Sequence, residues 1–168
     1  MTATAVEIAP HRYRERFGRY FAELAVGDVF EHRPGRTISE TDKTWFTLLT
    51  MNTLPMHFDA DYAAQFEFGR IIVYSPLTVA IMVGQSVTDV SQKAIANLGW
   101  TNVRMTAPVF VGDALMSESQ VMARRESKSR TDAGIVTVVT RGFKQGGLLV
   151  CDFEPTILVA RVGHPLNM

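Results

Sequence analysis

Residues 75–90 form the most apolar stretch of the chain, and their pattern predicts a buried helix. Ser75 is a good N-cap, and Pro76 suits the first helical position because the amide that proline lacks would be unpaired there in any case. The apolar side chains fall on two stripes at helical spacing, which are Leu77, Ala80, Ile81, Gly84 and Val79, Val83, Val87, Val90. A helix that is apolar nearly all round is normally buried, so we expect a sheet wrapped around it.

After this helix the pattern changes to the alternation that is typical of strands. We predict four strands with a bulge at Gly99 and a hairpin turn before the last of them, over residues 95–109, 114–126, 135–144 and 148–161. Before the helix, the pattern predicts a strand over 29–38, a helix that starts at a Ser39–Asp42 capping box and ends near Met51, and a short helix over 60–66. One strand, a buried helix and a run of antiparallel strands indicate an α+β fold.

The predicted elements form one domain over residues 20–161, which suits a chain of 168 residues. Residues 1–19 are interpreted as an N-terminal arm and residues 162–168 as a C-terminal tail. Within the arm, 1–11 show little periodicity and are expected to be loose, whereas the charges of 12–19 favour a short amphipathic turn.

Composition narrows the class of protein. Lysine plus arginine equals aspartate plus glutamate at 17 each, so bulk electrostatic binding of nucleic acid is not expected. The one cysteine, Cys151, excludes an internal disulfide and fits a reducing compartment. No apolar run is long enough for a membrane span and no signal peptide opens the sequence, so we expect a cytoplasmic protein. Because 46% of the residues are hydrophobic, we also expect apolar surface to be covered in an oligomer.

The chemistry-bearing residues concentrate in the segment 52–59, immediately before the central helix. His57 follows Pro55 in a loop, Asn52 lies five residues upstream, and Asp59 is a candidate N-cap of the short helix. A lone loop histidine is by default structural, so the role of His57 depends on its context. The other histidines, His11, His32 and His164, have no such context. We interpret them as surface residues and predict no metal site, because their spacing is not that of metal ligands.

Five motifs in order give the chain a resemblance to the MaoC-like (R)-specific enoyl-CoA hydratases of the hot-dog fold. They are Phe-Ala-Glu-Leu-Ala-Val-Gly-Asp at 21–28, Pro-Met-His-Phe-Asp at 55–59, Phe-Gly-Arg at 68–70, Pro-Val-Phe-Val-Gly-Asp-Ala-Leu at 108–115 and Glu-Ser-Lys-Ser-Arg at 126–130. Gly-Ile-Val-Thr-Val at 134–138 is also typical of the group, and the match extends over about 20–161. The resemblance implies a single hot-dog domain, with an antiparallel sheet around a long central helix and a helical hydratase-type insertion. Thr-Met-Asn-Thr before the histidine is most similar to the branch that hydrates mesaconyl-CoA or itaconyl-CoA.

The implied reaction is the reversible addition of water to the double bond of a 2-enoyl thioester, carried by CoA or by an acyl carrier protein. The resemblance places a catalytic histidine at His57 and an acid at position 52, where this chain has asparagine. A carboxamide is not a base at neutral pH, so the standard division of labour cannot hold unchanged. Three alternatives follow: His57 does the proton work while Asn52 orients water, Asp59 shares the role, or the site binds thioesters without hydrating them.

The remaining candidates surround the start of the central helix. Ser75 stands where the family has glycine, and its amide, helped by the helix dipole, is the candidate donor to the enolate oxygen. Tyr74 could bind substrate or simply pack, and Phe58 is a further candidate for substrate binding. Arg70 and Arg104 could bind a carboxylate or the CoA phosphates, or form structural ion pairs.

Other functions on the same fold stay open at this point. A thioesterase would need a carboxylate near the thioester carbon, for which Asp59 and Glu67 are the candidates, and a non-catalytic acyl-thioester binding or assembly protein needs none. The sequence lacks nucleotide-binding glycine-rich loops, so no cofactor is predicted, and CoA enters only as part of the substrate. The resemblance also implies a homodimer or a dimer of dimers, with no nucleic-acid or membrane partner.

Overall fold

The computed structural model of the protein describes residues 5–165. Its strands are β1 (Ala5–Ala9), β2 (Arg12–Glu15), β3 (Val29–Thr37), β4 (Ala94–Met105), β5 (Ala114–Glu126), β6 (Ala133–Lys144) and β7 (Leu148–Ala160). Its α-helices are α1 (Glu40–Leu49), α2 (Ala60–Ala63) and α3 (Ser75–Ser86), and a wider helical turn over Val87–Ser91 continues α3. None of the helices in this range is both long and apolar enough to cross a membrane.

Five strands form one antiparallel sheet in the order β3-β5-β6-β7-β4. Helix α3 packs against this sheet, and Met82 of α3 lies in one core cluster with Leu115 of β5 and Phe153 of β7. A second cluster covers the other end of the sheet, where Phe21 and Leu24 meet the apolar residues of β6 and β7. The α+β prediction of a sheet around a central helix is therefore confirmed.

Helix α3 is less completely buried than the sequence predicts. Leu77, Ile81 and Met82 lie in the core, but Ala80 and Gly84 are exposed. These two residues belong to one of the two predicted stripes, so part of that stripe faces outward. The exposed side of α3 carries only small side chains, and leaving it uncovered exposes little apolar area.

The locally encoded features agree closely with the prediction. The Ser39 hydroxyl accepts a hydrogen bond from the Asp42 amide at 3.2 Å, while the Asp42 carboxylate accepts from the Ser39 amide at 2.9 Å, which completes the capping box at the start of α1. Gly99 lies at a register shift between β4 and β7, as expected for a bulge. At the hairpin turn, Gly146 has a φ of 83°, a conformation that favours glycine.

The N-terminal arm differs from the prediction. β1 and β2 pair as an antiparallel hairpin, so Ala5–Glu15 is neither a loose arm nor an amphipathic helical turn. His11 at the turn has a φ of 58° and its amide donates to the Glu7 carboxylate at 2.8 Å. The hairpin is stabilised by backbone pairing and a local turn, and neither of these produces a strong periodic pattern of apolar residues in the sequence. The rest of the predicted arm and tail includes residues 1–4 and 166–168, which lie outside the described residues.

Two histidines that the sequence placed on the surface are buried. His32 is 1% exposed, with Nδ1 3.0 Å from an Asp89 carboxylate oxygen and Nε2 2.8 Å from the Ser119 hydroxyl. Ser119 in turn bonds the Thr140 hydroxyl at 2.8 Å, so the polar network around the ring extends over β5, β6 and the turn that continues α3. His164 is also buried, against Asp132 and Arg130. These partners are distant in sequence, which is why the pattern did not reveal them.

Candidate active site

His57 is the candidate base and lies near the start of the central helix. It ends the single helical turn Pro55–His57 and is 5% exposed. Its Nδ1 lies 3.0 Å from the carbonyl oxygen of Ile72. A carbonyl can only accept, so Nδ1 carries the proton and the neutral ring keeps a lone pair on Nε2. The imidazole is therefore held in one tautomer and one orientation, with Nε2 as its basic atom.

Asn52 is placed by an unusual ending of α1. The Asn52 amide donates to the Thr47 carbonyl at 3.1 Å, and Met51, which precedes it, has a φ of 52°. This is the bonding pattern of a Schellman ending, with methionine in the left-handed position that glycine normally fills. A non-glycine residue there costs of order 1 kcal/mol or more, which is typical of functional sites. The chain is thereby turned sharply between α1 and the segment that carries Asn52 and His57.

The carboxamide of Asn52 has a fixed orientation and an unused donor. Its Oδ1 accepts from the Leu54 amide at 2.9 Å. Its Nδ2 is buried and has no hydrogen-bond partner in the part of the chain that the structure describes. Asn52 therefore offers two N–H donors and no proton-accepting group, so it can orient a water molecule but cannot deprotonate one.

Ser75 is the first residue of α3 and not its N-cap, which corrects the prediction by one position. Tyr74 is the N-cap, and it is extended because the preceding Val73 amide pairs with the Val109 carbonyl at 2.8 Å. Pro76, the second helical residue, has no N–H, and the Leu77 amide bonds the Tyr74 carbonyl at 2.9 Å. The Ser75 amide remains as a first-turn donor with no partner inside the helix, next to the positive end of the helix dipole.

Aromatic contacts join the segment 52–57 to the start of α3. The Tyr74 ring centroid lies 5.1 Å from that of His57 and 6.1 Å from that of Phe46. Tyr74 therefore packs against the rings of both His57 and Phe46. Phe58, the next residue after His57, is 51% exposed.

A cavity of about 280 Å³ borders the first turn of α3. Its walls are mostly apolar and carry no charged side chain; they comprise Phe68, Ile72, Val73, Ser75, Thr78 and the segment 105–109. Ile72 connects the cavity to His57, because the Ile72 carbonyl accepts the hydrogen bond from His57 Nδ1. Thr78 was missed by the sequence reasoning. The available signal was a hydroxyl three residues after Ser75 within an otherwise apolar helix.

The two candidate arginines occupy different environments. Arg104 forms a bidentate ion pair with Asp152, with N to O distances of 2.8 and 2.7 Å. Arg70 stacks on Phe110, with its guanidinium carbon 3.7 Å from the ring centroid, and lines a separate cavity of about 380 Å³. The structure therefore brings His57 against Tyr74, the residue before Ser75, whereas the contacts of Arg70 and Arg104 are with Phe110 and Asp152.

Asp59 does not supply the missing acid. Its carboxylate accepts from the Tyr62 amide at 3.0 Å and N-caps α2, as predicted. In the described range 5–165, no group of three or more histidine, cysteine, aspartate or glutamate residues could hold a metal ion.

Comparison with known proteins gives consistent matches over most of the chain. A family model described as mesaconyl-CoA hydratase matches residues 3–165. The mesaconyl-CoA hydratase of Cereibacter sphaeroides is 29% identical over 144 residues, which cover 86% of this chain and 42% of the relative. The MaoC-like dehydratase of Rhodospirillum rubrum has a TM-score of 0.76 at 29% identity, covering 86% of this chain and 98% of that one.

A further solved structure supports the fold alone. The Mycobacterium tuberculosis protein RV0216, whose structure is described as a double hotdog fold, has a TM-score of 0.79 at 24% identity, and this chain covers 46% of it. The chain thus corresponds to one hot-dog unit. It spans about two fifths of the length of the mesaconyl-CoA hydratases that it matches.

Proposed function

Since the chain belongs to the mesaconyl-CoA hydratase family, we propose that it catalyses the reversible addition of water to the double bond of a short 2-enoyl-CoA thioester. The observation that carries the proposal is the hydrogen bond from His57 Nδ1 to the Ile72 carbonyl, which leaves Nε2 free as a base beside the start of α3. A base held in one tautomer is what water activation requires.

In the proposed reaction, His57 Nε2 takes a proton from water as the water oxygen bonds to the β-carbon of the enoyl group. The electron pair of the double bond moves toward the thioester oxygen, where the Ser75 amide and the α3 dipole stabilise the developing enolate. The protonated His57 then delivers the proton to the α-carbon, so that hydrogen and oxygen of one water are both accounted for. Asn52 holds the water by donating from Nδ2, whose position is fixed by the bond between Oδ1 and the Leu54 amide.

The substrate is proposed to be short because the cavity beside Ser75 has a volume of only about 280 Å³. The branched dicarboxylic acyl groups of mesaconyl-CoA and itaconyl-CoA are the first candidates, given the family. Arg70 is proposed to contact the CoA phosphates, since its guanidinium is exposed at a neighbouring cavity and guanidinium binds phosphate in a fork. No cofactor is proposed beyond the CoA of the substrate. An acyl carrier protein could present the same thioester.

We propose a homodimer as the working unit. Strand β4 lies at one edge of the sheet and exposes Leu98, Trp100 and Val103, so both its backbone and its apolar side chains are available for pairing. Relatives of more than twice this length match over one part only, and a second copy of this chain would occupy the place of their remaining part. A cytoplasmic location is proposed from the single cysteine, which fits a reducing compartment.

The test is to incubate the purified protein with crotonyl-CoA, mesaconyl-CoA and itaconyl-CoA, and with the matching hydroxyacyl-CoAs, and to measure product masses. Gain or loss of one water is expected for at least one thioester, and His57→Ala should abolish it while leaving the protein folded, as measured by circular dichroism. His11→Asn, at the exposed hairpin turn, is the matched histidine control. Release of free CoA would instead indicate a thioesterase. Tight binding without any mass change would favour a non-catalytic acyl-thioester binding protein, the function that Asn52 in place of an acid would suit.

A further inference from the structure

Thr78 carries a buried hydroxyl that the protein leaves without a partner. The residue is 1% exposed, and its Oγ1 is one of three fully buried side-chain polar atoms within residues 5–165 that lack a hydrogen bond; the others are Asn52 Nδ2 and Arg161 Nε. A buried polar group left unpaired typically costs about 1–3 kcal/mol. Such a group in a native structure therefore calls for a specific explanation.

The other helical hydroxyls of this protein show how easily the cost is avoided. Thr47 Oγ1 donates to the Lys43 carbonyl at 2.8 Å, Thr50 Oγ1 to the Phe46 carbonyl at 2.7 Å, and Ser86 Oγ to the Val83 carbonyl at 2.8 Å. Bonding back to the preceding turn is the usual solution for serine and threonine inside a helix. Thr78 lies in a regular helix and does not use it. Its hydroxyl is therefore available to an acceptor outside the helix.

The cavity that Thr78 lines supplies a place for that acceptor. Thr78 and Ser75 are three residues apart on α3, hence on the same side of the helix, and both line the cavity of about 280 Å³. Three residues rise about 4.5 Å along a helix, and a chain of three extended carbon–carbon bonds spans about 4 Å. If the thioester carbonyl meets the Ser75 amide, an atom at the far end of a four-carbon acyl group reaches Thr78.

We propose that Thr78 determines substrate specificity by donating a hydrogen bond to an oxygen at the distal end of the acyl group. This inference rests on the proposed function for the position of the thioester carbonyl at Ser75. The remaining walls of the cavity are apolar, and the other threonine that lines it, Thr106, already donates to the Leu149 carbonyl at 2.7 Å. A chain without a distal oxygen would leave the Thr78 hydroxyl unpaired, whereas an oxygenated chain pairs it.

The distal oxygen could belong to a carboxylate or to a neutral group, and the chemistry at Thr78 is the same for both. No charged side chain lines the cavity, which disfavours a carboxylate, but the first turn of α3 offers the positive end of a helix dipole, which favours one. Substrate analogues that differ only in this group separate the two sources.

The experiment measures binding of saturated four-carbon thioesters, which cannot be hydrated, by titration calorimetry on the intact protein. Butyryl-CoA has no distal oxygen, succinyl-CoA has a carboxylate there, and the methyl ester of succinyl-CoA has a neutral oxygen. The wild-type protein should bind at least one of the oxygenated thioesters more tightly than butyryl-CoA. Thr78→Val should reduce that preference by about 10-fold for a neutral oxygen and by up to about 100-fold for a carboxylate, while butyryl-CoA binding stays within about twofold.

Two further variants and a stability measurement separate specificity from a structural role. Thr78→Ser keeps the hydroxyl and should retain the preference, whereas Thr88→Val, an exposed threonine beyond the end of α3, should change neither binding nor preference. Thr78→Val should unfold at the same temperature as the wild type or higher, because it removes an unpaired buried group. A lower unfolding temperature, or equal loss of affinity for all three thioesters, would overturn the proposal.

Binding and turnover together distinguish this proposal from the proposed function. Loss of the preference in Thr78→Val without hydration of any enoyl thioester by the wild type would support Thr78 as the specificity residue of a binding protein and refute the hydratase. Hydration by the wild type with no preference between butyryl and oxygenated thioesters would refute the role of Thr78 and keep the hydratase.

Discussion

Replacing Asn52 by aspartate tests the part of the proposed mechanism in which this chain departs from its resemblance to acid-containing hydratases. The change keeps the shape of the side chain and the oxygen that accepts from the Leu54 amide at 2.9 Å, so the local backbone should be preserved. It converts the buried N–H donor into a carboxylate oxygen. The substitution therefore removes the donor that is proposed to hold water without disturbing the position of His57.

The expected loss of activity in Asn52→Asp follows from the role of that donor. Loss of one preorganised donor in an active site typically lowers kcat by about 10²–10³-fold. The introduced carboxylate would also be buried without a partner, which should lower the free energy of unfolding by about 1–3 kcal/mol at neutral pH. Burial raises the pKa of such a group above its unfolded value near 3.9, so the stability deficit should disappear below that pH and appear as the pH rises through the folded pKa.

The assay follows loss of the conjugated enoyl thioester absorbance with the best substrate from the mass measurements, at a series of pH values. Asn52 has no titratable group, so the carboxyl of the variant should add an ionisation that the wild-type profile lacks. The variant should also be slower. Asn97→Asp is the matched control for stability, since Asn97 Oδ1 accepts from the Gly99 amide at 3.0 Å in the same two-residue geometry but on the exposed surface. Wild-type or higher kcat/KM in Asn52→Asp would refute the donor role and identify Asn52 as the remnant of a lost acid.

Two predictions concern groups outside the candidate site. His32→Ala should lower the free energy of unfolding by about 3 kcal/mol in urea titration, because it leaves a cavity and unpaired polar partners in the core, and a change below 1 kcal/mol would contradict a structural role. Burial, with the neighbouring Asp152 carboxylate, raises the pKa of the Cys151 thiol to about 11, above the unfolded value near 8.5. The unfolded thiol therefore ionises first, so about 3 kcal/mol of stability present below pH 8.5 should be lost as the pH rises toward 11, and Cys151→Ser should flatten this decline. In the folded protein at neutral pH, a thiol reagent should react with Cys151 only as fast as the protein opens.

The fold could be predicted from the sequence wherever the determinants are local. The Ser39 capping box, the glycine turn at 146 and the alternation in β5 and β7 each depend on neighbouring residues, and each was confirmed. His32 was misplaced because its partner Asp89 is 57 residues away and the sequence contains no signal that joins them. The β1–β2 hairpin was missed for the opposite reason, since its pairing is local but its strands are exposed on both faces and too short, at five and four residues, to give a strong periodic signal.

The candidate site could be predicted only in part. The resemblance gave the position of His57, but the atom that fixes its tautomer is a backbone oxygen of Ile72, which no residue type reveals. The orientation of Asn52 likewise depends on the Leu54 amide and on the left-handed Met51. Ser75 was shifted by one position because pairing between Val73 and Val109 extends the chain up to Tyr74 and sets the start of the helix.

In the proposed mechanism, the two unpaired donors do the positioning that compensates for the absence of an acid at position 52. A side chain at position 52 that titrates could share the proton work, but the Asn52 carboxamide does not titrate, so in the proposed mechanism a single histidine both removes and returns the proton. This arrangement succeeds only if water and substrate are held in place by groups that do not exchange protons. Asn52 Nδ2 and Thr78 Oγ1 are such groups, since each is buried and has no hydrogen-bond partner among residues 5–165. Asn52 lies in the segment that carries His57, and that segment contacts the start of α3 through Tyr74. Leaving these two donors unpaired lowers the stability of the free protein. In the proposed mechanism, the same donors position water and substrate, and positioning is the part of catalysis that binding energy supplies.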